Sequence, residues 1–350
     1  MRSSISISTQ EEAMKLAMAA LAVTAAGAIG LGALTMPARA GAGPSLPPVS
    51  AEDLVTSMLT SKVPALGGTV TVHNALGLPA LPGVAAPLTR PESTLRVWSD
   101  GQGHDRLALP SRGGEQVFID DGTTLWRYDS SSRTATAREH RAAPDHQHPP
   151  MTDPAHTAQE LVGDLRKSSA VTVDGTGAVA GRPVYQLVLT PAPTERTLLR
   201  EVRVAVDSAT RVPLQLTVLT NGSPDPALQI GFSDLTVGAQ DPALFHFTPP
   251  AGVKVERPEF AKPPGQHDDN MIHTQGDGWD TLVLGQLPPR QPGARDDPVA
   301  LIQRIGHPTS GAWGQGWVVQ TAVGTVVLTS AGRVAAGAVP QQVLDEALAR

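Results

Sequence analysis

Cysteine is absent from this chain of 350 residues. Its absence excludes disulfide bonds, thiolate metal sites, a cysteine nucleophile and lipid attachment at an N-terminal lipobox cysteine. An excess of basic residues is also missing, because 27 lysines and arginines stand against 33 acidic residues, for a net charge of −6. Such a chain lacks the positive surface that a phosphate backbone attracts, so nucleic acid is not a predicted partner.

A helix-favouring composition is missing as well. The chain has 34 glycines and 32 prolines, and only 3% of its residues are aromatic. Numerous glycines and prolines exclude a coiled coil or an all-helical bundle. The middle of the chain is rich in valine, leucine and isoleucine, often in alternation with polar residues, which is typical of half-buried strands.

The N-terminal segment has the order of a secretory signal. Lys15 precedes an uncharged apolar run that continues to Met36, and residues 38–40 form an A-x-A cleavage site. The run is also long enough to span a bilayer. Residues 1–40 are therefore interpreted as a signal peptide or an N-terminal membrane anchor. Both alternatives place the rest of the chain outside the cytoplasm, either secreted or anchored to the outer face of the cytoplasmic membrane.

The remainder divides by composition and periodicity. We expect a linker at 41–50, a domain of strands and helices at 51–256, a Pro/Gly-rich flexible segment at 257–278 and a C-terminal α+β extension at 279–350. Alternation predicts one continuous antiparallel sheet from residues 66–139 and 170–256. Helices near 51–62 and 153–167 are expected on its concave side. The dipeptides at 100–101 and 121–122, both Asp-Gly, predict hairpins.

Catalytic and metal-binding motifs are not evident. The chain has no G-x-S-x-G or HExxH pattern, and the histidines at 140, 146 and 148 lie in a proline-containing predicted loop. The glycine-rich stretch 311–316 lacks the Lys-Ser/Thr ending of a phosphate loop. The sequence predicts no enzyme, no cofactor and no metal site.

Several strand sequences carry a family resemblance. They are RPVYQLVLTP at 182–191, VRVAVD at 202–207, RVPLQL at 211–216, and IGFSDL at 230–235 running on to DPALFHFTPP at 241–250. Together they resemble the LolA-like outer-membrane lipoprotein carrier family in its actinobacterial form, a lineage that includes the N-terminal domain of the RseB (MucB) sigma-regulator proteins. The resemblance implies a mainly β (α+β) fold, an incomplete antiparallel β-barrel enclosing or covered by a few helices, with a hydrophobic cavity for acyl chains.

Two functions stay open on this basis. The first is a non-enzymatic extracytoplasmic binding protein that carries or senses a lipid or lipoprotein acyl chain in the concave face. The alternative is an RseB-like regulator of a membrane-bound anti-sigma factor or other signalling protein. A sheet packed only by its own helices would need no ligand. If a cavity exists, strand alternation and the helix stripes predict that its wall contains Val70, Val72, Leu95, Val97, Phe118, Leu125, Leu161, Leu165, Leu187, Leu189, Val204 and Leu216.

Overall fold

The computed structural model describes residues 44–78, 89–111, 113–139, 154–257, 272–287 and 298–350. The predicted signal peptide or anchor at 1–40 and the histidines at 140, 146 and 148 lie outside these ranges. Within them, no helix has both the length and the apolar character that a membrane crossing needs.

Four α-helices, one short 3-10 helix (Pro242–Phe245) and eighteen strands form the described structure. The helices are α1 (Ala51–Thr60), α2 (Pro154–Ser168), α3 (Pro298–Ile305) and α4 (Gln341–Leu348). The strands of the N-terminal part are β1 (Leu66–Asn74), β2 (Glu92–Ser99), β3 (Asp105–Ser111), β4 (Gly114–Asp120), β5 (Thr124–Asp129), β6 (Thr134–Glu139), β7 (Ser169–Val179), β8 (Arg182–Pro191), β9 (Leu199–Asp207), β10 (Pro213–Thr220), β11 (Leu228–Val237) and β12 (Lys254–Glu256). Those of the C-terminal part are β13 (Ile272–Gln275), β14 (Leu282–Gln286), β15 (His307–Gly311), β16 (Gly314–Gln320), β17 (Thr325–Thr329) and β18 (Arg333–Gly337).

The first sheet contains twelve strands in the order β12-β6-β5-β4-β3-β2-β1-β11-β10-β9-β8-β7. Its ladders are antiparallel except between β12 and β6, which run parallel, so the predicted continuous antiparallel sheet is correct up to its last strand. The sheet curls, because β7 contacts β11 although three strands separate them in the ladder. A bulge between Val173 and Thr176 bends β7 at Gly175, whose φ of 81° favours glycine. The sheet stays open rather than closing into a barrel, which confirms the predicted fold class.

Helices α1 and α2 lie together over one end of this sheet. The Ser50 hydroxyl caps α1 by accepting the Asp53 amide at 3.0 Å. Helix α1 ends at Thr60, two residues earlier than the sequence predicts. Leu54 of α1 and Val162 of α2 are fully buried against Tyr185 and Leu187 of β8. This cluster fixes the two helices over β7, β8 and β9.

The two predicted Asp-Gly hairpins are present with longer loops than a two-residue turn. The loops cover residues 100–104 and 121–123, and only the glycines take positive φ, 72° at Gly101 and 82° at Gly122. The aspartate side chains instead accept hydrogen bonds from backbone amides of their own loops. Gln102 N–H donates to Asp100 and Thr124 N–H donates to Asp121, both at 2.7 Å. An Asp side chain that bonds its own loop favours these wider connections.

An ion pair with a buried carboxylate links the start of β8 to the turn between β9 and β10. The Arg182 guanidinium donates two hydrogen bonds of 2.8 Å to the Asp207 carboxylate, whose side chain is fully buried. Burial alone would raise the pKa of Asp207, but the hydrogen bonds from Arg182 and Thr210 outweigh it and hold the pKa below its ordinary value of 3.8. The pair therefore remains charged inside the fold.

The second sheet contains six strands in the order β13-β14-β18-β17-β16-β15, with a helix on each side. Ile302 of α3 packs on the face that carries Val326 and Leu328. Leu344 of α4 packs on the other face, against Val327. β13 falls within the stretch 257–278, which the sequence predicts to be a flexible segment. Residues 311–314 form the turn between β15 and β16 rather than a ligand-binding loop.

The loop between β8 and β9 joins the two sheets. The Thr197 hydroxyl and the Leu198 amide both donate to the Ala338 carbonyl, at 2.7 and 2.8 Å. Trp279 donates its indole N–H to the Ser169 hydroxyl at 2.6 Å. A buried apolar cluster lies beside these bonds and contains Leu76, Leu199, Val218, Ala227, Val323 and Ala338. The sheets therefore share a packed and hydrogen-bonded junction.

Candidate ligand-binding face

The strand register brings the predicted wall residues to one face of the first sheet. Directly opposite residues of an antiparallel ladder point to the same side. Leu187 lies opposite Val204, and Val204 lies opposite Leu216. From Leu216 the same face continues through β11 to β1 and β2, and then through β3 and β4 to β5. We call this side, which α1 and α2 cover at β7 to β9, the helix-side face. It carries all ten predicted strand residues, Val70, Val72, Leu95, Val97, Phe118, Leu125, Leu187, Leu189, Val204 and Leu216.

Part of this face is closed by the helices. Leu187 is 6% exposed beneath α1 and α2, and Leu189 and Val204 pack in the same cluster. Leu165 of α2 packs there as well. These four residues are core contacts between the helix pair and the sheet.

The middle of the face is closed by the sheet's own packing. Val70, Val72, Leu95 and Val97 are buried in one cluster with Phe232 of β11. Leu216 packs instead toward the junction with the second sheet. These five predicted wall residues therefore lie in packed interior.

The face is open at β3 to β5. Leu125 is 42% exposed and Leu161 of α2 is 45% exposed, whereas Phe118 is half-buried. Leu107 lies directly opposite both Val97 and Phe118, and Leu107 and Leu109 are half-buried. The prediction omitted these two leucines, although extending the alternation through the hairpin at 100–104 would have found them. An apolar row of Val97, Leu107 and Phe118 thus runs across three strands from buried to half-buried positions.

The opposite face of the same strands is covered. Phe247 contacts Trp126 and Tyr128, with ring centroids 5.2 and 5.4 Å apart. Phe245 is buried, and the Arg106 guanidinium donates to the Leu244 carbonyl at 3.1 Å. Strand β12 then pairs with β6. Because the segment from residue 242 to 256 occupies that side, the helix-side face is where β3 to β5 show apolar side chains to solvent.

The polar groups beside the open region are engaged in turns. Asp129 accepts hydrogen bonds from the Ser131 hydroxyl, the Gln116 amide and the Ser132 backbone, which lower its pKa to about 2. The carboxylate is therefore ionised at neutral pH and holds the turn between β5 and β6. His104 pairs with Asp100 in the preceding hairpin. Across the ranges the structure describes, no group of three or more His, Asp or Glu side chains could hold a metal ion.

Comparisons with known proteins concern the fold. No family model matches the sequence, and no curated protein matches it either. Among solved structures, the MucA/MucB complex of Pseudomonas aeruginosa aligns with a TM-score of 0.46 and 19% identity over 85% of this chain and 96% of that one. A LolA superfamily protein from Nitrosomonas europaea aligns with a TM-score of 0.24 and 13% identity over 57% of this chain and 99% of that one. An uncharacterised conserved protein from Thermus thermophilus aligns with a TM-score of 0.35 and 12% identity. The structures retrieved include the LolA and MucB groups that the sequence resemblance names.

Proposed function

We propose that this chain is a non-enzymatic extracytoplasmic binding protein that takes the acyl chain of a lipid or lipoprotein on the open part of its helix-side face. The observation that carries the proposal is the exposure of Leu125 beside the row of Val97, Leu107 and Phe118. Large aliphatic side chains exposed next to half-buried ones offer apolar surface that a bound chain would remove from water. The predicted secretory segment supports the location.

We propose a smaller site than the sequence predicts. The residues under the helices and in the middle of the sheet are packed, so the proposed contact surface is formed by Phe118 and Leu125 with Leu107 and Leu109. Leu161 of α2 adds exposed apolar surface on the helix pair. We propose that the other predicted wall residues support this surface as core rather than touch the ligand.

A lipid extract of the protein purified from its own host tests the proposal most directly. Mass spectrometry of the extract is expected to show acyl species in amounts comparable to the protein. A displacement titration with a fluorescent fatty acid then locates the site. Leu125→Asn is expected to weaken probe binding, because it places an amide on the apolar surface.

Val63→Asn is the matched control. Val63 is 52% exposed, but it lies between α1 and β1 and outside the sheet, so this substitution also replaces an exposed apolar side chain. It is expected to leave probe binding unchanged. If the extract holds no acyl species and the wild type does not bind the probe, the binding proposal is wrong, and the RseB-like regulator becomes the better interpretation.

A further inference from the structure

Two arginines stand at the end of the open apolar row. Arg127 lies directly opposite Phe118, so it is the next member of the row formed by Val97, Leu107 and Phe118. Its guanidinium carbon lies 5.8 Å from the centroid of the Phe118 ring. Arg138 of β6 lies directly opposite Leu125 on the same face. Apolar surface and positive charge thus meet at one edge of the helix-side face.

Both guanidinium groups are free of ion pairs within the described ranges. Arg127 and Arg138 are exposed, and neither has a carboxylate partner among the residues the structure describes. Both side chains therefore present a guanidinium cation with five N–H donors on this face. Three carboxylates share this face: Asp129 accepts the Ser131 hydroxyl, Asp120 accepts the Gly122 amide at 2.9 Å, and Asp105 lies opposite Asp120 on β3.

The spacing of the row sets the size of a ligand. Val97 is buried, so the accessible part of the row starts at Leu107. Neighbouring strands lie about 4.8 Å apart, so the step from β3 to β5 covers roughly 10 Å. An acyl chain can lie along Leu107 and Phe118 over that length, with its head beside the arginines. Guanidinium groups form paired hydrogen bonds with phosphate oxygens, and two of them match a dianionic phosphate monoester in charge.

We propose that the helix-side face selects a single-chain lipid with a phosphate headgroup, the acyl chain lying on Leu107 and Phe118 and the phosphate at Arg127 and Arg138. The inference rests on the proposed function, because it names the substrate class of the same site. Leu125 lies between Arg138 on β6 and Asp120 on β4. Because the Asp120 carboxylate repels a phosphate, the headgroup is placed toward β5 and β6 rather than toward β3.

A pair of ligands that differ only in the phosphate tests the inference. Calorimetric titration of the full chain uses oleoyl lysophosphatidic acid and monooleoylglycerol, each below its aggregation concentration. The wild type is expected to bind the phosphate lipid at least about tenfold more tightly, and this preference should fall with added salt. The double variant Arg127→Gln/Arg138→Gln is expected to bind the two lipids equally.

The control variant is Arg304→Gln, an exposed arginine on helix α3 beside the second sheet, which should keep the wild-type preference. Equal binding of both lipids by the wild type, or a preference that survives the double substitution, would overturn the headgroup inference while leaving the acyl-binding proposal in place. Oleate bound as tightly as the phosphate lipid would overturn the phosphate assignment. Failure of the wild type to bind either of the two lipids or oleate, titrated as a third ligand, would overturn both proposals.

Discussion

Leu187 and Leu125 provide a matched test of which part of the helix-side face is open. Both are leucines predicted to line the same wall, and the register places both on the same side of the sheet. They differ in exposure, at 6% for Leu187 beneath the helices and 42% for Leu125. Replacing each by alanine removes the same atoms from two different environments.

The expected losses of stability follow from that difference. Leu187→Ala leaves a cavity between β8 and the helix pair, and such substitutions cost about 2–5 kcal/mol. Leu125 belongs to no core cluster of the described residues, and its partial burial makes the cost of Leu125→Ala about 1 kcal/mol or less. With a urea dependence of about 1–3 kcal/mol per molar, only Leu187→Ala is expected to lower the unfolding midpoint by roughly 1 M or more.

Urea unfolding and displacement of a fluorescent fatty acid measure the two effects separately. Leu125→Ala should unfold near the wild-type midpoint and bind the probe more weakly. Leu187→Ala should bind the probe normally at urea concentrations where it is folded. Equal losses of stability in both variants would refute the assignment of Leu125 to an open surface. Normal probe binding by Leu125→Ala would refute its role in the site.

Two further predictions concern the framework. Arg182→Ala leaves the buried Asp207 carboxylate without its cation and is expected to cost about 3–5 kcal/mol at neutral pH. The folded pKa of Asp207 lies below 3.8, so the pair stabilises the wild type fully above that pH. The contribution is lost as the pH falls from 3.8 through the folded value. The stabilities of wild type and variant should therefore approach each other in acid, and a difference that stays constant as the pH falls below 3.8 would contradict this. Gly316→Ala would place a methyl group 2.1 Å from the Leu328 carbonyl oxygen, so it is expected to lower the midpoint of thermal unfolding of the second sheet. A midpoint equal to that of the wild type would show that β16 and β17 can separate without cost.

The fold was predictable because its strands alternate over long stretches. Val184 to Leu189 shows the limit of that information: alternation separates Tyr185, Leu187 and Leu189 from the other side, and the structure packs these three against the helices. The alternation does not show how far the helices extend over the sheet. Whether Leu125 is open or covered depends on where α1 and α2 dock, which is a long-range packing choice and leaves no local pattern.

The short elements were missed for a related reason. β12 has three residues and pairs in parallel with β6, so no hairpin signal precedes it. β13 lies next to a Pro/Gly-rich stretch whose composition predicts a flexible segment. The partner of β12 is distant in sequence, whereas β13 pairs with the next strand, β14. A reading of local periodicity therefore gives the main strands and omits the ones that complete the sheet edges.

The two edge strands of the large sheet bear on how the protein behaves at high concentration. A long flat edge presents free backbone groups to a second chain and promotes aggregation. Here β12 covers the β6 edge with a short strand, and its Lys254 amide is bound to the Arg133 carbonyl at 3.1 Å. At the other edge, the bulge at Gly175 interrupts β7 and bends it toward β11. The large sheet exposes apolar side chains on its helix-side face, but its two edges, at β12 and β7, are both poorly suited to pairing with a strand of another chain.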